Sequence, residues 1–382
     1  MTTETKAAEQ REQSVRTLRA NGSLHSHHWI EAFAQVPREQ FVSRFAVPHY
    51  PGPRLVHHDL SEDPDDAALA AVYEDATLIT QWDAGGTAIS SSSTPSLMAT
   101  MLEHLDADPG HRLLEVGTGT GYNAALLCHA LGSNTVTSID LDPALVEQAT
   151  HRLHNMGYTP CTAAVDGRSG YPTRAPFDRV IATCGFSRVP RAWLSQLADH
   201  AVVVVNLGIG LAVLRGDGTG IRGPFVGTAA FMTARHSNTD TAVTAREVVQ
   251  ATQNLPAEAD RTALRMDPAT FADPTMVFLR SLHTPTLQWA QLHDSDGGTI
   301  FCLYDPAREA LARIQLHGDS ASVTTQGIDL WDEQLAIAAS WDGQGRPNLT
   351  RYGLTVQNDG THLLWLDDPA TSTIALPPTQ EA

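Results

Sequence analysis

An α/β fold is what this sequence predicts: a parallel sheet with helices on both faces, followed by a smaller α+β domain. Between residues 112 and 205, short apolar strands alternate with helical stretches, and a glycine-rich turn joins the first strand to the first helix. Strands separated by helices pair in parallel, with the helices packed over the sheet. After residue 254 the pattern changes to closely spaced strands, and four of the seven tryptophans (Trp289, Trp331, Trp341 and Trp365) fall there. A length of 382 residues is enough for two cores.

Taken in order, residues 1–22 read as a helix with little to bury it, ended by Gly22. Trp29, Ile30, Phe33, Val36 and Phe41 mark a short amphipathic helix interrupted by Pro37. Residues 48–66 hold four prolines and read as a loop. A short apolar stretch, Thr77–Ile79, then runs into DAGGTAISSSST. In the central block, strands are expected at Arg112–Val116, Thr135–Asp140, Cys161–Val165, Phe177–Thr183 and Ala201–Val205. Helices are expected at Tyr122–Leu131, Pro143–Met156 and Pro190–Leu197, two of them opening on a proline, which a helix first turn accepts. His236–Asn254 is polar and threonine-rich and reads as a linker. Beyond it, strands are expected at Thr299–Leu303, Ala312–Leu316, Ser322–Thr325 and Thr361–Leu366, with a helix over Trp331–Trp341. Asn358-Asp359-Gly360 between two apolar runs is a hairpin signal. The resulting division is 1–75 (helical, substrate recognition), 76–235 (the main α/β domain) and 236–382 (α+β, peptide recognition).

Composition narrows the partners. Lys+Arg 25 against Asp+Glu 43 leaves a net charge of -18, which repels phosphate and argues against nucleic acid or an anionic membrane surface. No apolar run is long enough to span a bilayer, and the polar N-terminus lacks a signal-peptide core, so a cytoplasmic location is expected. Cys128, Cys161, Cys184 and Cys302 are widely spaced, as buried thiols in a reducing compartment would be. His25, His27, His28, His57 and His58 have no acidic or cysteine partner at ligand spacing, so no metal is expected.

The chemistry is expected at LLEVGTGTGY, residues 113–122, where a strand runs into Gly117, Gly119 and Gly121 and a helix begins at once. Such glycines let the backbone turn tightly and let a ligand approach where a side chain would collide. The spacing is GxGxG with Thr118 between glycines, not the GxGxxG of dinucleotide sites, and Glu115 precedes it. A carboxylate there poorly suits a pyrophosphate and better suits a cofactor with a cationic amino-acid end. S-adenosylmethionine is therefore favoured over NAD and FAD, in a Rossmann-like methyltransferase sheet. Asp140, followed by Leu141, ends the second strand, where a carboxylate can accept both ribose hydroxyls. Asp166 and Gly167 follow the third strand, on the adenine side.

PREQFV (37–42), the hydroxyl-rich run before Pro95, LLEVGTGTGY and VDGRSGYPTRAPFDRVIAT (165–183) occur in that order. Together they resemble the protein-L-isoaspartate O-methyltransferase family over roughly residues 20–235. The family's Thr-Ile-Ser-Gln-Pro element, which lies over the methyl-transfer centre, falls on Ser91, Ser92, Ser93, Thr94 and Pro95. The resemblance thus implies catalytic roles for Ser91, Ser93 and Thr94 and a place for Ser92 against the cofactor. SSSST (90–94) departs from the repair enzymes' usual text, and the long extension is expected to be absent from them. Both features, with WDGQGRPNLTRYGLTVQNDGTHLLWL, resemble a subgroup associated with lanthipeptides, lasso peptides and graspetides. Those relatives methylate an ordinary aspartate in a constrained, commonly macrocyclic peptide, and the ester collapses to a succinimide (aspartimide) that persists or hydrolyses to isoaspartate.

A carboxylate is already an anionic nucleophile at neutral pH, so no strong base is needed. Alignment and exclusion of water should supply the catalysis, and hydroxyls can hold one carboxylate oxygen while the other attacks. The alternatives are repair of isoaspartate in damaged proteins, and a cofactor-binding scaffold without transfer activity. Intact Glu115, Asp140 and Asp166 argue against the scaffold.

Overall fold

The computed structural model describes residues 2–49, 54–61, 65–83, 85–235, 243–255, 260–295 and 297–379. At its centre the strand Leu113–Val116 is buried at every position. It pairs in parallel with Val136–Asp140 on one side and Phe177–Phe186 on the other. Cys161–Ala164 adds outside the first of these and Leu197–Leu207 outside the second, again in parallel. Leu113–Val116 is thus flanked on both sides by strands that follow it in the chain. That is the switch point of an open α/β sheet, with its crevice at the strands' carboxyl ends.

The helices form where local chemistry favours them. Asp142 caps Pro143–Asn155 by accepting from the amides of Ala144 and Leu145. Tyr122–Leu131 starts at Gly121, whose φ is +88° and where a Cβ would lie 3.1 Å from that of Ala149. Glycine there lets these two helices close on each other. The first helix, Thr3–Ala20, buries Ala7, Val15 and Leu18, so it has more to cover than its polar sequence predicts. With His27–Gln35 it joins the core over one face of the sheet, which includes Trp29, Phe33, Leu102, Leu126 and Val204.

Of residues 48–66, 50–53 and 62–64 lie outside the described residues, and the rest are not simply a loop. Arg44–His49 and Arg54–Asp59 pair antiparallel, and with Leu78–Trp82 and Ala88–Ser92 they make a four-stranded sheet. The prolines conceal this hairpin because Pro48 sits within a strand whose partner supplies the remaining ladder bonds. Within the expected linker, Ala245–Gln253 is a helix closed by a capping box between Thr244 and Glu247, while 236–242 lie outside the described residues. The helix expected over Pro190–Leu197 is shorter, Arg191–Leu194.

Beyond residue 260 a five-stranded antiparallel sheet forms from Asp260–Leu264, Ser320–Gln326, Ala310–His317, Thr299–Asp305 and Gln288–His293, in that spatial order. The helix Leu330–Gly343 and the hairpin at 358–360 occur as expected. The hairpin's strands, however, return to the main sheet. Tyr352–Gln357 pairs with Gly220–Thr228, and His362–Leu366 and Thr373–Ala375 follow outward, giving ten strands in all. Gly353 faces Trp365 across the hairpin, and a Cβ there would lie 2.1 Å from the indole. One core runs from Val203 and Phe225 through Phe278 to Trp331 and Leu354. The C-terminal segment therefore shares its core with the α/β sheet rather than closing on itself. Among the described residues no helix is long and apolar enough to cross a membrane.

A chain ended at residue 235 would expose the edge of Gly220–Thr228 and the apolar face under Phe278 and Leu354. We expect it to be recovered mainly as aggregate. Soluble yield and melting temperature beside the full chain measure this, and an equally soluble fragment with an unchanged melting temperature would contradict the shared core.

Candidate functional site

A cavity of about 630 Å³ opens at the carboxyl ends of the central strands. Ser91, Ser92, Ser93, Thr94, Gly117, Thr118, Gly119, Asp140, Leu141, Asp166 and Gly167 all line it, so segments far apart in sequence converge as expected. Its remaining wall includes Thr183, Cys184 and the stretch from Val226 to Arg235.

The serine run is shaped by strand alternation. Ser90 and Ser92 are buried, whereas Ser91, Ser93 and Thr94 are only partly so. Ser90 accepts from Thr80 Oγ1 at 3.2 Å, and Thr94 Oγ1 shares a hydrogen bond with Thr77 Oγ1 at 2.9 Å. The Ser92 hydroxyl also accepts from Arg38 Nη2 at 3.2 Å and Nε at 3.3 Å. It therefore anchors the wall as well as lining it. Arg38, from PREQFV, is 1% exposed and also donates to the carbonyls of Ser93 (2.9 Å), Ser92 (3.3 Å) and Val72 (2.9 Å). Burial lowers its pKa to about 10, so it stays a cation at neutral pH.

In the glycine loop each glycine has its own reason. A Cβ on Gly117 (φ +103°) would lie 2.6 Å from Thr183 Oγ1, which donates to the Gly117 carbonyl at 2.7 Å. At Gly119 the nearest atom to such a Cβ is the Ser91 carbonyl at 3.7 Å, so this position opens to the cavity. The Gly119 amide donates to Asp140 Oδ2 at 2.9 Å and the Asp142 amide to Oδ1 at 3.2 Å. Burial raises the Asp140 pKa, these backbone bonds opposing the shift. Asp166 accepts from the Arg168 amide at 2.9 Å. A Cβ on Gly167 would lie 2.4 Å from Val116 Cγ1, and its carbonyl accepts from Trp193 Nε1 at 2.8 Å.

Two expected cofactor residues stand behind this surface. Glu115 is not on the cavity wall: fully buried, it accepts from Asn123 Nδ2 at 2.7 Å and Ser138 Oγ at 2.5 Å. Burial pushes its pKa up to about 7 against those two bonds. Ser138 in turn shares a 2.7 Å hydrogen bond with Thr118, so Glu115 reaches the loop through side chains. Gly121 serves the helix contact described above. Sequence reasoning missed Asn123, Ser138, Thr183 and the 226–235 wall. Asn123 and Ser138 carried a signal, as polar residues within apolar runs. Cys184 lies on the wall as a strand-end thiol, its pKa pushed up to about 12 by burial, so it is protonated at neutral pH.

A cavity with an open glycine position, a strand-end carboxylate and an Asp-Gly turn fits S-adenosylmethionine. The family model described as Protein-L-isoaspartate(D-aspartate) O-methyltransferase (PCMT) matches residues 64–213. A protein-L-isoaspartate O-methyltransferase of Ignicoccus hospitalis is 35% identical over 199 residues, covering 52% of this chain and 81% of that protein. One from Thermotoga maritima is 33% identical over 189 residues, 49% of this chain, and the match spans 52% of that relative's length. A solved structure described as protein-L-isoaspartate O-methyltransferase has the same fold, with a TM-score of 0.55 at 24% identity over 94% of this chain and all of that one. A fold reaching over the extension thus occurs in a protein of that description.

Asp140→Ala should weaken binding of S-adenosylhomocysteine by about 10- to 100-fold, the loss expected of hydrogen bonds to a charged group, as read by calorimetry. An unchanged affinity would contradict its place in the site. For Glu115, the folded protein keeps a proton between about 4.5 and about 7 that the unfolded chain has released. Stability contributed by this group is full below about 4.5 and is lost as pH rises through about 7. Urea melts should show this slope in the wild type and lose it in Glu115→Gln; equal slopes would contradict the buried, protonated carboxyl.

Proposed function

Since the chain belongs to the protein-L-isoaspartate O-methyltransferase family, carboxyl methyltransferases that use S-adenosylmethionine, we propose that it esterifies an aspartate side-chain carboxylate in a ribosomally made, modified peptide. The observation that carries this reading is the run from Ser91 to Thr94 on the cavity wall, in which hydroxyls stand at every position. No lysine or histidine lines the cavity among the described residues, and Arg235, its one basic side chain, follows Ala234 at the Asp166 end.

S-adenosylmethionine supplies, when bound, an electrophilic methyl carbon on a sulfonium sulfur. The chain's own task is then mainly geometric. Asp140 and the Asp166–Gly167 turn would hold the ribose and adenine, leaving the reacting end towards Ser91–Thr94. There Ser91, Ser93 and Thr94 can donate to one substrate carboxylate oxygen and leave the other in line with the methyl carbon. A cation in direct contact would hold the ground state too tightly. As the new oxygen–carbon bond forms, the carbon–sulfur bond breaks and its electron pair stays on sulfur, so no proton moves. In the ester, methanol leaves when the following backbone amide nitrogen closes the five-membered ring and gives up its proton, yielding succinimide. The extension, which shares a core with the catalytic sheet, would help select the peptide.

A second reading is repair of isoaspartyl residues, favoured by the names of the relatives and by the extension's presence in a solved chain so described. Mass spectrometry separates the two when the protein is given S-adenosylmethionine with either a cyclised aspartyl peptide or a generic linear isoaspartyl peptide. We expect the first to gain the mass of a methylene and then show a net loss of one water from the starting peptide. Methylation confined to the isoaspartyl peptide would overturn this reading and establish repair.

A further inference from the structure

We propose that Arg38 is the positioning residue of the methyl-transfer step, holding the hydroxyl-bearing wall in register and drawing the substrate carboxylate to it from one layer behind. The inference rests on the carboxyl-transfer reading of the same cavity, but not on which carboxylate is the substrate. The guanidinium reaches both ends of the region that frames the serine run. On one side it donates to the carbonyls of Val72 (2.9 Å), Glu74 (3.4 Å) and Ala76 (3.5 Å). On the other it donates to the carbonyls of Ser92 (3.3 Å) and Ser93 (2.9 Å) and to the Ser92 hydroxyl (3.2 Å). Every one of these acceptors is a neutral group, so the cation is solvated by dipoles while its charge is kept.

Two consequences follow from that arrangement. A carbonyl that accepts from a guanidinium polarises its own peptide unit, which strengthens the N–H on the far side as a donor. Here those N–H groups belong to Ser93 and Thr94, the residues placed over the reacting centre. Arg38 itself is not on the cavity wall. It therefore supplies a local positive potential in a chain of net charge -18 without the direct ion pair that would blunt the attacking oxygen. Lysine cannot replace it fully, because an ammonium offers three donors on a point charge rather than a planar fork.

The test compares wild type with Arg38→Lys and Arg38→Met, using the linear isoaspartyl peptide and the cyclised aspartyl peptide as probes. Readouts are kcat, peptide KM, S-adenosylhomocysteine affinity and melting temperature. We expect Arg38→Met to lower kcat by about 100-fold, the scale of a small misplacement of reacting groups, with cofactor affinity within about twofold. Arg38→Lys should recover part of kcat because it keeps the charge. A purely structural role would instead lower cofactor affinity along with kcat, and to the same extent in both variants, whatever the fall in melting temperature, and that result overturns the proposal. So does an Arg38→Met variant whose kcat is within about twofold of wild type. Should Arg38→Met fail to fold, Arg38→Gln keeps hydrogen-bond donors without the charge: a fall in kcat of about tenfold or more with cofactor affinity within about twofold supports the proposal, and a kcat within about twofold of wild type overturns it. Activity on only the isoaspartyl peptide would refute the aspartate reading while leaving the Arg38 comparison fully readable.

Discussion

A guanidinium that is 1% exposed persists only if its donors are met, and meeting those of Arg38 determines where three separate segments lie. The segment carrying Arg38 is drawn onto the end of the helix Asp66–Tyr73 and onto the end of the serine strand Ala88–Ser92. Tyr73 hydrogen-bonds Glu39, and the Tyr122 ring lies 5.8 Å from the guanidinium, so the first turn of the helix after the glycine loop meets the same cluster. One buried cation thus holds the substrate wall and lies against the helix that follows the glycine loop.

Beneath it, a second buried polar group sets the cofactor side. Glu115, Ser138, Thr118 and Asn123 form one connected network under the glycine loop, and Asp140 accepts the Gly119 amide above it. Such networks specify a single arrangement because each member left unpaired would be costly. The loop is therefore shaped before any ligand arrives, which is what a site working by alignment requires. The C-terminal hairpin contributes from further away by completing the sheet beyond Gly220–Thr228, the strand that leads into the 226–235 wall.

Much of this was legible in the residues. From Leu113 to Ala164 the strand and helix bounds agree with the expected ones to within a residue or so, because alternation of apolar strands and proline- or glycine-started helices is a local signal. Convergence of Ser91–Thr94, Asp140 and Asp166 followed from the resemblance and from the sheet's topology. What local pattern could not show was non-local pairing. The pairing of Arg44–His49 with Arg54–Asp59 hid behind prolines, and the strand Tyr352–Gln357 gave no sign that its partner would be Gly220–Thr228. The protein partners of Glu115 and Ser92, namely Asn123, Ser138 and Arg38, lie far from them in the chain or on other elements, and no local pattern pointed to those pairings. Arg38 stood in a quoted motif, but no local pattern marked it as buried.

The central claim is that the Arg38-anchored hydroxyl run receives the carboxylate that is methylated. A crystal structure of the protein with S-adenosylhomocysteine and a bound substrate peptide tests it most directly. We expect one carboxylate oxygen within hydrogen-bonding distance of Ser91, Ser93 or Thr94, the other facing the cofactor's sulfur, and Arg38 still bonded to the Ser92 and Ser93 carbonyls. A carboxylate seated elsewhere in the cavity, or a serine run released from Arg38, would contradict it.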